Sequence, residues 1–274
     1  MTAITFEKVW KEYGATVVLE RLDLEIASRS FVALVGPSGC GKTTFLRMLL
    51  GDDVPTRGRI LLDGVPLKPE PDKDRGVVFQ RYSVFPHLTV LGNVMLGREL
   101  EQSPLLGRLF GNRRAAARAD ALQILADVGL GGHEGKYPAE LSGGMQQRLA
   151  LAQALICRPK VLLLDEPFGA LDPGIRADIH VLIRRIWNAS DLTVVMVTHD
   201  LSEAFRLATR VIAFERPRNR PEELERFGAT LSGDLARDDE RPKETQGATI
   251  TRDIAIWPPR IAGAPSQSAV KPPD

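Results

Sequence analysis

Phe31-Val32-Ala33-Leu34-Val35-Gly36-Pro37-Ser38-Gly39-Cys40-Gly41-Lys42-Thr43-Thr44 is the stretch from which the rest of the chain can be read. The apolar run 31–35 is unbroken, as in a strand buried on both faces. Residues 36–43 then fit G-x-x-x-x-G-K-[ST], which a chain of this length matches by chance in roughly one case in a hundred. The glycines let successive backbone N–H groups turn toward one anion, and the N-terminus of the helix that must follow adds partial positive charge. Lys42 can reach the β- and γ-phosphates of a nucleoside triphosphate, the Thr43 hydroxyl can ligate Mg²⁺, and Thr44 can add a phosphate contact. The helix should run Lys42–Leu50 and stop near Gly51. Cys40 reads as a small loop residue, not a redox thiol.

Outward from this loop the chain alternates strands and helices. Ile4, Phe6 and Val9 suggest one strand, and Leu22, Leu24 and Ile26 a second with period two. Residues 60–62, then Asp63-Gly64, then Val65 and Leu67 read as a hairpin, since Asp-Gly favours hairpin turn geometry. Further strands are expected at 77–79, 161–164 and 192–197, with a final core strand at 211–214. Helices are expected on the stripe Ile175, Ile179, Leu182, Ile186 and over 201–207. Such alternation implies an α/β fold with a mostly parallel sheet and right-handed crossovers. Residues 90–157 interrupt it: no strong strand shows, and Leu122, Leu125 and Val128 lie at helical spacing, so a helical subdomain is expected there. Within it, residues 98–118 read as a loop or short helices around Pro104, Gly107 and Gly111. From Arg216 the chain is charged and proline-rich. The division expected is therefore a domain over 1–215 and an extension over 216–274.

Composition narrows the partners. The formal net charge of the 274 residues is +1, which argues against holding nucleic acid by bulk electrostatics. No apolar run approaches the ~18 residues that cross a bilayer, and no charged-then-apolar leader precedes the first strand pattern. The two cysteines, Cys40 and Cys157, offer no disulfide framework, so a reducing cytoplasm is expected and any membrane role must come through a partner.

The strand Val161-Leu162-Leu163-Leu164 ends in Asp165-Glu166. Beside a phosphate loop, two acids at a strand tip divide their work: Asp165 can hold Mg²⁺ and Glu166 can polarise an attacking water. His199, just past the strand 192–197, lies where an α/β sheet gathers its ligand site and can orient that water. His87, His133 and His180 are expected on loops or helix surfaces.

The sequence Leu141-Ser142-Gly143-Gly144-Met145-Gln146-Gln147-Arg148 resembles the LSGGQ signature of ABC-type ATPases, with Met145 after the glycine pair. Together with the phosphate loop, the acid pair and His199 in this order, the resemblance spans residues 4–214. It implies a P-loop NTPase (RecA-like) core with an antiparallel β subdomain and the signature on the inserted helices. It makes Tyr13 the aromatic on which adenine stacks, and Gln80 the residue that meets Mg²⁺ and the water and senses a membrane partner. Ala170-Leu171-Asp172 becomes the loop that communicates across a dimer. In this family two cassettes face head to tail, so Ser142, Gly143, Gly144 and Gln146 are expected to serve the ATP of a second copy.

One cassette without a membrane span, with Pro86-His87-Leu88-Thr89-Val90-Leu91-Gly92-Asn93-Val94 soon after Gln80, resembles the separate ATPase subunit of a bacterial importer. The implied partners are a membrane permease and, indirectly, a periplasmic solute-binding protein, with the chain at the cytoplasmic face of the cell membrane. Leu62-Asp63-Gly64-Val65-Pro66 and the run Asp74-Arg75-Gly76-Val77-Val78-Phe79-Gln80 resemble the nitrate, sulfonate and taurine group. The tail at 248–259, ending Trp257-Pro258-Pro259, resembles members associated with urea or amide uptake. An ABC ATPase that regulates an envelope complex, or a soluble one, remains the alternative.

Overall fold

The computed structural model describes residues 4–80, 84–103, 107–218 and 226–236. Its centre is a six-stranded sheet built from β3 (Phe31–Val35), β6 (Arg75–Val78), β7 (Val161–Asp165), β8 (Thr193–Val197), β9 (Arg210–Glu215) and β10 (Thr230–Ala236), in the order β10-β9-β3-β8-β7-β6. All neighbours run parallel except β10, which is antiparallel to β9. The apolar runs of the sequence are explained by cores on both faces. Phe31, Ala33 and Val35 enter one core while Val32 and Leu34 enter the other, and Leu162 and Leu164 alternate with Val161 and Leu163 in the same way. A strand with two buried faces has no polar side, so alternation vanishes from its sequence.

The second core lies between this sheet and a four-stranded antiparallel one, β2-β1-β4-β5, formed by β1 (Ile4–Tyr13), β2 (Thr16–Ile26), β4 (Arg57–Leu62) and β5 (Val65–Pro66). Helix α1 (Lys42–Leu50) fills the gap. Its Phe45 stacks on Phe6 of one sheet at 4.4 Å and meets Phe214 of the other edge-on at 5.5 Å. A buried phenylalanine contributes roughly 1.5–3 kcal/mol, and this one ties both sheets to the helix that carries the phosphate loop. The helix ends as the sequence predicts: Gly51 adopts φ 88° and its N–H donates to Arg47 and Met48 carbonyls, a left-handed cap that costs glycine little.

The first core is covered by α2 (Val90–Gln102), α3 (Gly111–Asp127), α4 (Gly143–Leu155), α5 (Pro173–Asn188) and α6 (Leu201–Leu207). Among the described residues, 90–157 hold α2, α3, a short 3-10 turn at Pro138–Glu140 and α4, and no strand. The whole is the α/β architecture of P-loop NTPases with an antiparallel subdomain and a helical insertion.

Several expectations change. Residues 111–127 form one helix and not short pieces, because Ala117, Ala121 and Leu125 recur every four residues and bury one face. The expected breaker Pro104 lies outside the described residues. The strand 211–214 is not the last: β10 extends the sheet beyond residue 215. Arg210 holds that added strand through Asp234 and also donates to the Glu25 carbonyl. His180 is not on a helix surface. It is 5% exposed, and its ring meets Phe168 edge-on at 4.5 Å. The stripe that buries α5 is Ile179, Leu182, Ile183 and Trp187, with Ile175 and Ile186 at its margins. The tail at 248–259 lies outside the described residues.

Candidate nucleotide-binding site

Parallel strands bring their carboxyl ends to one edge of a sheet, which is why residues far apart in the chain meet there. The phosphate loop leaves β3, Gln80 follows β6, Asp165-Glu166 ends β7 and His199 follows β8.

The loop 36–41 is shaped by close approach. A Cβ on Gly36 would sit 2.4 Å from the backbone oxygen of Phe214, and Gly41 caps α1 at φ 88°. Lys42 is buried, and its amine donates to the carbonyls of Gly36 at 2.7 Å and Pro37 at 2.9 Å. Pro37, Ser38 and Gly39 are exposed, as is Thr43 on the first turn of α1. Cys40 points into the second core, where burial raises its thiol pKa against the pull of Lys42, in keeping with a small packed loop residue.

Glu166 departs from the strand in the left-handed region, at φ 45°, with its N–H held by the Val197 carbonyl at 2.9 Å. For a residue with a long side chain this backbone costs on the order of 1 kcal/mol, and such outliers concentrate at functional sites. The Glu166 side chain meets groups from two other strand ends. Oε2 accepts from the Gln80 amide at 3.3 Å and lies 3.4 Å from Nδ1 of His199. Asp165 stays at the strand tip, where burial first, then the Glu166 charge, raises its carboxyl pKa, with Lys42 acting against them. A divalent cation suits this place: Thr43 and Asp165 offer hard oxygen donors, as Mg²⁺ prefers, and positive charge would relieve the penalty on Asp165. Among the described residues no cluster of three or more His, Cys, Asp or Glu side chains forms a cage for a metal, so the protein would supply only part of the coordination.

Tyr13 is 45% exposed at the end of β1. Its hydroxyl donates to Asp53, which also binds the Lys11 amine, and that amine lies 4.7 Å from the ring centroid. Burial and then Asp53 raise the Tyr13 phenol pKa, while Thr44 and Arg47 of α1 lower it, so the ring stands beside the helix that opens at the phosphate loop. Lys11 and Asp53 were not singled out from the sequence, where a lysine in a strand and an aspartate in a turn carry no signal.

Ser142 caps α4, its Oγ accepting from the Met145 N–H at 3.3 Å, and both Ser142 and Gly143 are exposed. Gly144 is a packing residue as well: a Cβ there would meet Ile175 of α5 at 2.4 Å. The amide of Gln146 donates to the carbonyls of Pro138 at 2.9 Å and Leu141 at 3.4 Å and so holds the turn that presents Ser142. Arg148 pins α3 through the Val128 carbonyl at 2.7 Å. Asp172 is exposed at the start of α5. Among the described residues, no hydrogen bond or ion pair joins Ser142, Gly143, Gly144, Gln146 or Asp172 to the phosphate loop.

Asn93, buried in α2, also escaped the sequence reading. Its side chain bonds Phe85, Leu88 and Thr89 backbone groups and Gln153 of α4. It sets the turn beside Gln80, where Phe79 and Phe85 are exposed around a cavity of about 340 Å³.

Known proteins resemble this chain in sequence and in fold. The chain is 43% identical over 215 residues to the sulfate/thiosulfate import ATP-binding protein CysA of Thermosynechococcus vestitus, and 45% identical over 215 residues to the Fe(3+) ions import ATP-binding protein FbpC 1 of Rhizobium meliloti. Each match covers 78% of this chain, but only 61% and 58% of those two proteins, so the chain spans less than two thirds of their length. It is 42% identical over 236 residues to the aliphatic sulfonates import ATP-binding protein SsuB of Yersinia pestis, covering 86% of this chain and 78% of that protein. The dimeric structure of the bacterial ABC transporter cassette MJ0796 superposes with a TM-score of 0.68 at 31% identity, covering 86% of this chain and all of that one. A second MJ0796 structure, described as a post-hydrolysis state bound to ADP and Pi, superposes at 0.67. The ABC transporter family model matches residues 19–169, more than half of the chain, and with the loop, the acid pair and the signature in place, the chain belongs to the ABC transporter family.

Proposed function

We propose that this chain is the ATP-hydrolysing subunit of an importer, working as a head-to-tail pair of cassettes on a separate membrane permease. The observation that carries hydrolysis, beyond binding, is the Glu166 carboxylate held between Gln80 and His199. In that position it accepts a proton from a water attacking the γ-phosphate in line, while His199 and Gln80 keep carboxylate and water aligned. Lys42 and the α1 N-terminus take up charge on the phosphates. Thr43 and Asp165, with Gln80 alongside, would hold Mg²⁺, which would supply neutralisation of charge on the β- and γ-phosphate oxygens. Tyr13 stacks adenine, and Gly36, Pro37, Ser38, Gly39, Cys40, Gly41 and Thr44 cradle the phosphates.

Ser142, Gly143, Gly144, Gln146 and Asp172 serve the nucleotide of the second copy. The exposure of Ser142, Gly143 and Asp172 supports this, as does the likeness to a dimeric cassette. ATP then closes the pair because it binds the closed arrangement better than the open one, and hydrolysis reverses that preference. The working cassette is residues 1–215, with the helical part at about 90–157 and β10 completing the sheet.

The permease reading is supported by three relatives named as import ATP-binding proteins. No helix among the described residues is long and apolar enough to cross a membrane. In this reading the cassette works from the cytoplasmic face of the cell membrane, bound to the permease. The solute belongs to the nitrate, sulfonate and taurine group or to ureas and amides, delivered by a periplasmic binding protein. The sulfonate relative supports the former. Glu166→Gln tests the function: ATP binding persists, hydrolysis stops, and an ATP-bound dimer accumulates on size exclusion. Hydrolysis at the parental rate would overturn the assignment.

A further inference from the structure

A half-buried ionic chain connects the loop 169–172 to the strand end that carries His199. Arg176 lies in the first turn of α5, just beyond that loop, and its Nη2 donates to the Leu171 carbonyl at 3.2 Å. The other terminal nitrogen, Nη1, is 3.3 Å from Oε1 of Glu203 and 3.7 Å from Oδ2 of Asp200. Glu203 is 6% exposed. Its second oxygen accepts from the Thr198 hydroxyl at 2.9 Å, and the same hydroxyl accepts from the Asp200 N–H at 3.0 Å. The Thr198 N–H is fixed to the Leu34 carbonyl of β3 at 3.1 Å. Asp200 uses its remaining oxygen to cap α6, accepting from Ser202 at 2.8 Å. His199 therefore stands between two residues that are both tied to Glu203, and its ring reaches Glu166.

With the Glu203 carboxylate buried and the Arg176 side chain 30% exposed, a charge pair is an expensive way to join a helix to a turn, since apolar packing does as well or better for stability alone. Its geometry also asks for arginine in particular. One fork must reach a carbonyl in the loop and a carboxylate on α6 at once, which a lysine point charge cannot do.

We propose that Arg176 and Glu203 are positioning residues that make the placement of His199 depend on the placement of the loop 169–172. Movement of that loop pulls on Arg176 through the Leu171 carbonyl. Arg176 carries the displacement to Glu203, and Glu203 to the Thr198–Asp200 turn. The loop's Asp172 is exposed, so a second copy of the chain packed against it would bear on His199 by this route. The inference rests on the reading of Glu166 and His199 as hydrolytic machinery.

The test uses the full chain with Arg176→Lys and Glu203→Gln, each alone and combined with His199→Ala. Arg176→Lys keeps the charge facing Glu203 and gives up the reach to Leu171. We expect kcat to fall about tenfold with KM for ATP within about twofold, a coupling of the size found inside one side-chain network. In the slow His199→Ala background, read by single-turnover hydrolysis, neither substitution should cost anything further. Equal factors in both backgrounds, or an unchanged kcat, would overturn the proposal. A readout independent of turnover is the imidazole NMR spectrum. Arg176→Lys should displace the His199 resonances and leave those of His87 and His133 in place. His199 signals that stay put while those of His180, one turn along α5, move would mark the pair as purely structural. Loss of hydrolysis in the unmodified chain, or its persistence in Glu166→Gln, would instead count against the hydrolytic reading itself.

Discussion

Oε2 of Glu166 lies 3.4 Å from Nδ1 of His199, and the same oxygen accepts the Gln80 amide at 3.3 Å. One carboxylate oxygen thus receives two side chains from two other strand ends, and in the proposed hydrolysis Oε1 takes the proton of the attacking water. Removing a group that aligns a general base costs catalysis more than binding. His199→Ala should lower kcat by about a hundredfold, the lower range for lost acid–base assistance, with KM for ATP changed little, as measured by phosphate release.

The loop's two tightest features should separate on mutation. Lys42→Ala removes the amine that donates to the Gly36 and Pro37 carbonyls and should abolish nucleotide binding while the fold persists. Gly36→Ala forces a methyl group to 2.4 Å from the Phe214 carbonyl oxygen, which neither backbone can yield easily. Thermal unfolding should show roughly 1–3 kcal/mol of lost stability from such overpacking, along with lost binding. Calorimetry and nucleotide titration on both variants check the contrast.

Ser142→Arg should leave the ATP affinity of an isolated chain intact and abolish hydrolysis, because residue 142 is proposed to serve the nucleotide of the second copy. The lost helix cap, now supplied to the Met145 N–H at 3.3 Å, should cost about 1 kcal/mol, far too little to unfold the protein. A large fall in monomer affinity would place Ser142 in its own chain's site and sink the head-to-tail arrangement.

His180 predicts a pH dependence of stability. Burial first, then Arg206 and Arg176, lower its pKa to about 4 from an ordinary value of 6.5. The unfolded chain takes up a proton near pH 6.5 and the folded one does not until about 4. Stability from this group is therefore full above pH 6.5 and falls as pH drops through that window, by roughly 1.4 kcal/mol per pH unit. His180→Leu should flatten this part of the acid limb in denaturant titrations between pH 7 and 4. An unchanged slope would mean the ring is protonated within the fold.

Much of this protein was legible in its sequence for a physical reason. The run 31–35, the helix Lys42–Leu50 and its stop at Gly51 are local matters of burial, phosphate-loop geometry and capping, and the structure reproduces them. The missing strand β10 illustrates the opposite case. Thr230–Ala236 contains Gly233 and Asp234 among only two leucines, with little period-two signal, and it belongs to the sheet because β9 offers an edge and Arg210 meets Asp234. His180 was misplaced because a polar residue in the middle of an apolar stripe gives no sign that Phe168 will cover it.

The loop at 36–44 shows where the division falls. Sequence by itself determined that a phosphate would be cradled there, since glycine spacing, a lysine and a helix start are neighbours in the chain and need no distant partner. Only the tertiary structure decided what stands opposite. A parallel sheet aligns strand ends irrespective of their distance in sequence, so Gln80, Glu166 and His199 converge, and Arg176 reaches Leu171 and Glu203 together. Those contacts depend on strand order and on one left-handed backbone at Glu166, and neither leaves a local periodicity to be read.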